Sequence, residues 1–176
     1  MMKKIFLLLY LLSSVSSFAQ TSNDGNYTKT GDSMPSFKFE IEKGKLVDIG
    51  NYKGKLILIN LFATWCPPCN TELPLVQKQI WEAHKDNKNF AFFVFGREEG
   101  WEKLIPYKAK RGFTFPILPD LDRNVFNKFA KQSIPRNILI DQDGKIIYQS
   151  IGYEEKEFQI LVKLINDKLK TPSATK

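Results

Sequence analysis

Leu56-Ile57-Leu58-Ile59-Asn60-Leu61-Phe62-Ala63-Thr64-Trp65-Cys66-Pro67-Pro68-Cys69 decides how this chain reads. Its first eight residues are apolar except Asn60, the pattern of a central strand buried on both faces. Two cysteines follow, the only ones in the chain. A helix is expected from Asn70 to His84. Strand, Cys-x-x-Cys and helix in this order put two thiols within joining distance at a helix start. Unpaired N–H groups and partial positive charge there stabilise a thiolate. Cys66 is then the exposed, attacking sulfur and Cys69, one turn inside, the resolving one. Pro67 and Pro68 are tolerated because first-turn N–H groups have no intrahelical partner.

A purely structural disulfide is the competing reading. Closing a four-residue loop stabilises by only about 2 kcal/mol, against about 3 for fifteen residues. A chain of this size builds a core without such a staple. Zinc needs two further ligands, and the only histidine is His84. The spacing therefore favours redox work, with no metal and no cofactor.

Working outward, Met1 to Ala19 reads as a secretory signal. Lys3 and Lys4 precede the apolar run Ile5 to Leu12, and Ser17-Phe18-Ala19 is a small-x-small cleavage site. The apolar run is too short to span a bilayer. Removing the signal takes away two lysines, leaving 24 basic residues against 19 acidic ones and a charge of +5. The lysines are spread rather than clustered, so no nucleic-acid surface is expected. Residues 20–32 are polar and read as a flexible leader. Residues 171–176 form a polar tail.

Phe37 to Ile41 alternates apolar and polar residues, and Leu46 to Ile49 is its return strand. Asn89 to Phe95 is a second buried strand. Glu98 to Lys110 is a helix with Trp101, Leu104 and Ile105 inward. Phe113 to Leu118 is a short strand, and Asp122 is the expected cap of a helix carrying Val125, Phe126 and Phe129. Asn137 to Asp141, Asp143-Gly144 and Lys145 to Ser150 form a hairpin. Glu154 to Lys170 is an amphipathic helix with acids leading and lysines trailing. The order predicts an α/β fold, a mixed central sheet with helices on both faces.

With these residues in view, the chain resembles the TlpA/ResA-like extracytoplasmic thiol–disulfide oxidoreductases of the thioredoxin fold, which overlap the AhpC/TSA-type domains. The likeness lies in Gly31 to Phe37, Tyr52 to Pro74, Phe115-Pro116-Ile117 and Ile134 to Ile146. It implies a thioredoxin fold over residues 33–170 with an N-terminal β-hairpin extension. It also implies a cis Ile134-Pro135 bond that turns the Ile134 backbone toward Cys66 to pair with substrate; read alone, Pro135 is an ordinary trans loop proline. In this group a glutamate matching Glu72 modulates the cysteine pKa values. A partly buried Glu72 has a raised pKa and can take the Cys69 proton; a solvated surface carboxylate is the plain alternative. Asn60 is expected to pair a neighbouring backbone group. Arg136 either favours the Cys66 thiolate or acidic substrates, or points to solvent. Trp65, with Pro67 and Pro68, belongs to the docking surface or to the core. His84 is read as solvated.

The resemblance implies an enzyme that reduces specific protein disulfides outside the cytoplasm, with apocytochrome c maturation as the best-known destination. Its partners are protein disulfides and a membrane thiol donor, and the chain is expected to be monomeric. A thiol peroxidase of the same fold needs a lone peroxidatic cysteine. A Sco-like copper chaperone needs a wider cysteine pair and a distant histidine. Neither fits Cys66-x-x-Cys69.

Overall fold

The computed structural model describes residues 25–170. The expected signal at residues 1–19 and the tail at 171–176 lie outside them. The strands are β1 (Lys38–Glu42), β2 (Lys45–Asp48), β3 (Leu56–Phe62), β4 (Phe90–Arg97), β5 (Ile117–Asp120), β6 (Arg136–Ile140) and β7 (Ile146–Ile151). The helices are α1 (Pro67–Val76), α2 (Glu82–His84), α3 (Trp101–Arg111), α4 (Phe126–Phe129) and α5 (Glu155–Lys170). A π-helical turn, Gln77–Trp81, joins α1 to α2.

Strand order is β5-β4-β3-β6-β7, with β1 and β2 as a separate hairpin. β3 runs parallel to β4 and antiparallel to β6. β3 is central and every one of its residues is buried, as its apolar run predicts. Alternate residues point to opposite faces. Leu56, Leu58 and Phe62 pack with Leu73, Val76 and Ile80, with Leu104, and with Phe158, Leu161 and Ile165. Ile57, Ile59 and Leu61 pack with Phe37 and Phe39 of the hairpin segment and with Phe126 and Phe129. One face is thus covered by α1, α3 and α5. The other is covered by the hairpin and the short α4, so helices lie on both faces but unequally. Parallel crossovers β3-α1-β4-α3-β5 step in one direction along the sheet, so their shared hand puts both helices on the same side.

Pro74 lies inside α1 and cannot donate to the Asn70 carbonyl four residues earlier. Arg111 of α3 supplies the missing donor to that oxygen at 2.9 Å. Gly112 ends α3 in the left-handed conformation, φ 69°, where a side chain is disfavoured.

Four sequence expectations change. Residues 25–32, read as part of a flexible leader, are bonded to the domain. Tyr27 N–H donates to the Phe129 carbonyl (2.8 Å), Gly31 N–H to Ile146 (2.8 Å), and Lys131 N–H to Gly25 (2.7 Å). The segment is held at two places: its start by the chain at the end of α4, through Phe129 and Lys131, and its end by the first residue of β7, where Ile146 N–H also donates to the Asp32 carbonyl at 2.9 Å. Asp120, not Asp122, caps the α4 turn, accepting from Val125 and Phe126 N–H at 2.8 Å each. Ile105 is 57% exposed, because the inward stripe of α3 runs through Leu104. His84 is not simply solvated: its Nε2 meets Asn166 Oδ1 of α5 at 2.7 Å.

Candidate active site

Cys66 is the N-cap residue of α1, in extended conformation, and its Sγ accepts the Cys69 N–H at 3.3 Å. The two sulfurs are joined in a disulfide across a Cα–Cα distance of 5.3 Å. A first-turn N–H aimed at a sulfur favours its thiolate over its thiol. The expected exposure of Cys66 is not found: it is 2% exposed and Cys69 is fully buried. Exposure falls instead on the flanking Trp65 (62%), Pro67 and Pro68. Trp65 is therefore a surface ring rather than core. The Arg97 guanidinium sits 5.6 Å from its centroid.

The loop entering the pair is held by residues that no local pattern marks. Glu99, 1% exposed, accepts both Thr64 N–H (2.9 Å) and Thr64 Oγ1–H (2.6 Å). Asn70 Nδ2 donates to the carbonyls of Thr64 (3.0 Å) and Cys66 (2.9 Å). Tyr107 O–H donates to Asn70 Oδ1 at 2.8 Å. Glu99 lies in the polar run Arg97-Glu98-Glu99 and Asn70 beside Thr71 and Glu72, so nothing in the local sequence sets them apart from solvated residues.

Glu72, one turn beyond Cys69, is 1% exposed. Burial pushes its carboxyl up to about 7 from 4.5, against the opposing pull of hydrogen bonds from Asn137 and Asn60. Those bonds are Asn137 Nδ2 to Oε1 (2.5 Å) and Asn60 Nδ2 to Oε2 (3.1 Å). Glu72 is thus no surface carboxylate. Asn60 pairs side chains rather than the neighbouring backbone expected of it, also donating to Asn137 Oδ1 at 2.8 Å. Asn137 enters the sequence reading only as the start of a strand, with no role in the site. Its one signal is an amide beside Ile138 and Leu139 on a strand that must be buried.

Ile134-Pro135 is cis. Leu61 pairs with Arg136 in the β3–β6 register, so Pro135 lies at the end of β3 that leads to Cys66. Gly152 N–H donates to the Pro135 carbonyl at 2.8 Å. Ile134 is half-buried. Arg136 departs from both expectations for it: at 2% exposed it does not point to solvent, and its bonds turn inward to the chain. Nε donates to the carbonyls of Gln132 (2.9 Å) and Ser133 (3.0 Å), and the Nη atoms to Gln132 (2.7 Å) and Asn26 Oδ1. Buried guanidinium needs acceptors, and the loop before the cis proline provides them. A cavity of about 420 Å³ lined by Phe39, Leu46, Trp101 and Leu121 contains none of the expected site residues.

The Redoxin family model matches residues 29–165. Among curated proteins, the thiol-disulfide oxidoreductase ResA of Bacillus thuringiensis (strain Al Hakam) is 27% identical over 134 residues, 76% of each chain. A solution structure from Bacteroides thetaiotaomicron, provisionally described as a protein disulfide isomerase, is 36% identical with a TM-score of 0.79. That match covers 84% of this chain and 94% of the other. StoA from Bacillus subtilis shares the fold at a TM-score of 0.61 and 23% identity, over 74% of this chain and 96% of its own.

Proposed function

This chain belongs to the redoxin family, with a thioredoxin fold of the ResA/TlpA-like kind, and from that premise we propose that it is a thiol–disulfide oxidoreductase that reduces specific protein disulfides outside the cytoplasm. The observation that carries the reading is the Cys66–Cys69 disulfide at the N-terminus of α1, with the Cys69 N–H on Cys66 Sγ. In the reduced protein Cys66 attacks a substrate disulfide and forms a mixed disulfide. Cys69 then displaces the reduced substrate, giving its proton to Glu72. Trp65, Pro67 and Pro68 are the exposed rim on which substrate docks, and the Ile134-Pro135 segment pairs with it as a short strand. Arg136 acts in docking only by shaping that segment, since its donors turn inward to the Gln132–Ser133 loop and to Asn26.

The signal reading of Met1 to Ala19 supports an extracytoplasmic site of action. No helix among the described residues is long and apolar enough to cross a membrane. Work outside the cytoplasm calls for a membrane thiol donor to keep the pair reduced. Apocytochrome c is the substrate class that the ResA-like resemblance favours.

Two measurements test this. Cys69→Ser should accumulate mixed disulfides with extracytoplasmic proteins, and their absence would count against protein-disulfide exchange. Equilibration with glutathione or dithiothreitol should place the potential nearer the thioredoxin value of about −270 mV than the DsbA value of about −120 mV. A potential near the latter would reverse the assigned direction.

A further inference from the structure

The β3–β6 register sets Asn60 directly opposite Asn137, and the β6–β7 register sets Asn137 opposite Ser150. These three positions form one row across three strands. Its two amides meet Glu72 of α1 with one donor for each carboxylate oxygen. Asn60 Nδ2 also donates to Asn137 Oδ1, which fixes the end of Asn137 that faces Glu72. Ser150 Oγ lies 3.4 Å from Asn137 Nδ2 on the far side.

The arrangement leaves Asn60 Oδ1 buried without a hydrogen-bond partner. A row serving only to fill space has no reason to leave a polar atom unpaired, and apolar side chains fill such a row without that penalty. The donors converge on a carboxylate that has no cation. Glu72 takes part in none of the ion pairs among the described residues. Tyr148 on β7 and Tyr153 just after β7 both sense its charge, and the two cysteines precede it at the start of the same helix.

We propose that Asn137, steadied by Asn60, is a positioning residue of the thiol–disulfide reaction, fixing the Glu72 carboxylate as the proton acceptor for Cys69. The inference rests on the role given above to Cys66, Cys69 and Glu72. In the step it serves, Cys69 Sγ bonds to Cys66 Sγ while the bond from Cys66 to the substrate sulfur breaks. The substrate sulfur leaves with the electron pair as a thiolate, and the Cys69 thiol proton passes to a Glu72 oxygen. The protein dithiol is oxidised by two electrons and the substrate disulfide is reduced. Without aligned donors, a carboxyl buried this deeply keeps its own proton and has no room for that of Cys69.

The test follows oxidation of the reduced protein by oxidised glutathione as a function of pH, in stopped flow with tryptophan fluorescence. Wild type, Asn137→Leu, Glu72→Gln and the double variant are compared. Wild type should show a midpoint near neutral. Losing one hydrogen bond to a charged group raises its proton affinity about tenfold or more, so Asn137→Leu should move that midpoint up by about one pH unit. Glu72→Gln should remove the Glu72 contribution and leave only the ionisation of the attacking Cys66 thiol, and Asn137→Leu should then change nothing further. Asn137→Thr, a β-branched residue suited to a strand, should shift the midpoint in the same direction and serves if the leucine variant does not fold. A Glu72→Gln profile identical to wild type overturns the underlying role of Glu72. A changed Glu72→Gln profile with unchanged Asn137 variants overturns the present inference alone. So does an Asn137→Leu effect that persists in the Glu72→Gln background.

Discussion

Replacing Glu72 with glutamine makes the energetic consequence of its burial measurable. In the folded protein the carboxyl holds its proton up to about 7, whereas the unfolded chain releases it near 4.5. Between those values the folded state binds more protons than the unfolded state. The stabilising contribution is therefore complete below about pH 4.5 and is lost as pH rises through about 7. At about 1.4 kcal/mol per pH unit, the interval corresponds to a loss of about 3 kcal/mol. Glutamine never ionises and escapes that loss. Its amide also presents a donor where Asn60 or Asn137 already donates, so a fixed offset between variant and wild type is expected at every pH. The informative quantity is how the offset changes. Urea unfolding of the oxidised proteins, from pH 4.5 to about 8.5, should show Glu72→Gln gaining about 3 kcal/mol on wild type as pH rises. The disulfide form keeps thiol titration out of the comparison, and all other groups cancel in the difference. An offset flat to within about 0.5 kcal/mol, the size of an ordinary surface substitution, would refute the claim that burial governs this carboxyl.

Three further outcomes follow from the supports of the site. Glu99→Ala strips Thr64 of two charge-assisted acceptors and should lower stability by about 3 kcal/mol in urea unfolding; a change under 1 kcal/mol, about that of a surface contact, contradicts the clamp. Arg136→Leu frees the Gln132 and Ser133 carbonyls and should cost about 2–4 kcal/mol while slowing disulfide exchange, since the segment before Pro135 loses its tether. A Cβ on Gly96 would meet Leu104 Cδ2 at 2.6 Å, so Gly96→Ala should destabilise by about 1–3 kcal/mol. That cost should shrink in a Leu104→Ala background, as a double-mutant cycle in thermal unfolding would show.

The elements that carry their own signal are legible in the residues themselves. β3 announces itself because eight residues with one polar interruption suit only a strand covered on both faces. α5 does so through its apolar stripe and charge gradient. The cysteine pair is a local geometry, three residues apart at a helix start. The α4 cap was misplaced because Asp120 and Asp122 are equivalent in composition, and only the path of the chain after β5 decides which carboxylate reaches the N–H groups of Val125 and Phe126. The docked segment at residues 25–32 was missed for a related reason. Its polarity reads as solvation, while its backbone groups find partners at Phe129, Lys131 and Ile146, residues more than 100 positions away.

Where two sulfurs meet, and that a strand and a helix frame them, can be read from residue order alone, since periodicity and short spacings act over a few residues. That Glu72 is buried, that Glu99 holds Thr64 and that Arg136 turns inward are products of long-range packing. The same packing brings Asn60 and Asn137, 77 residues apart, together at Glu72. Those facts depend on strand register and on which helix covers which face. Both are settled by the burial of the whole apolar set together, and no local pattern encodes them.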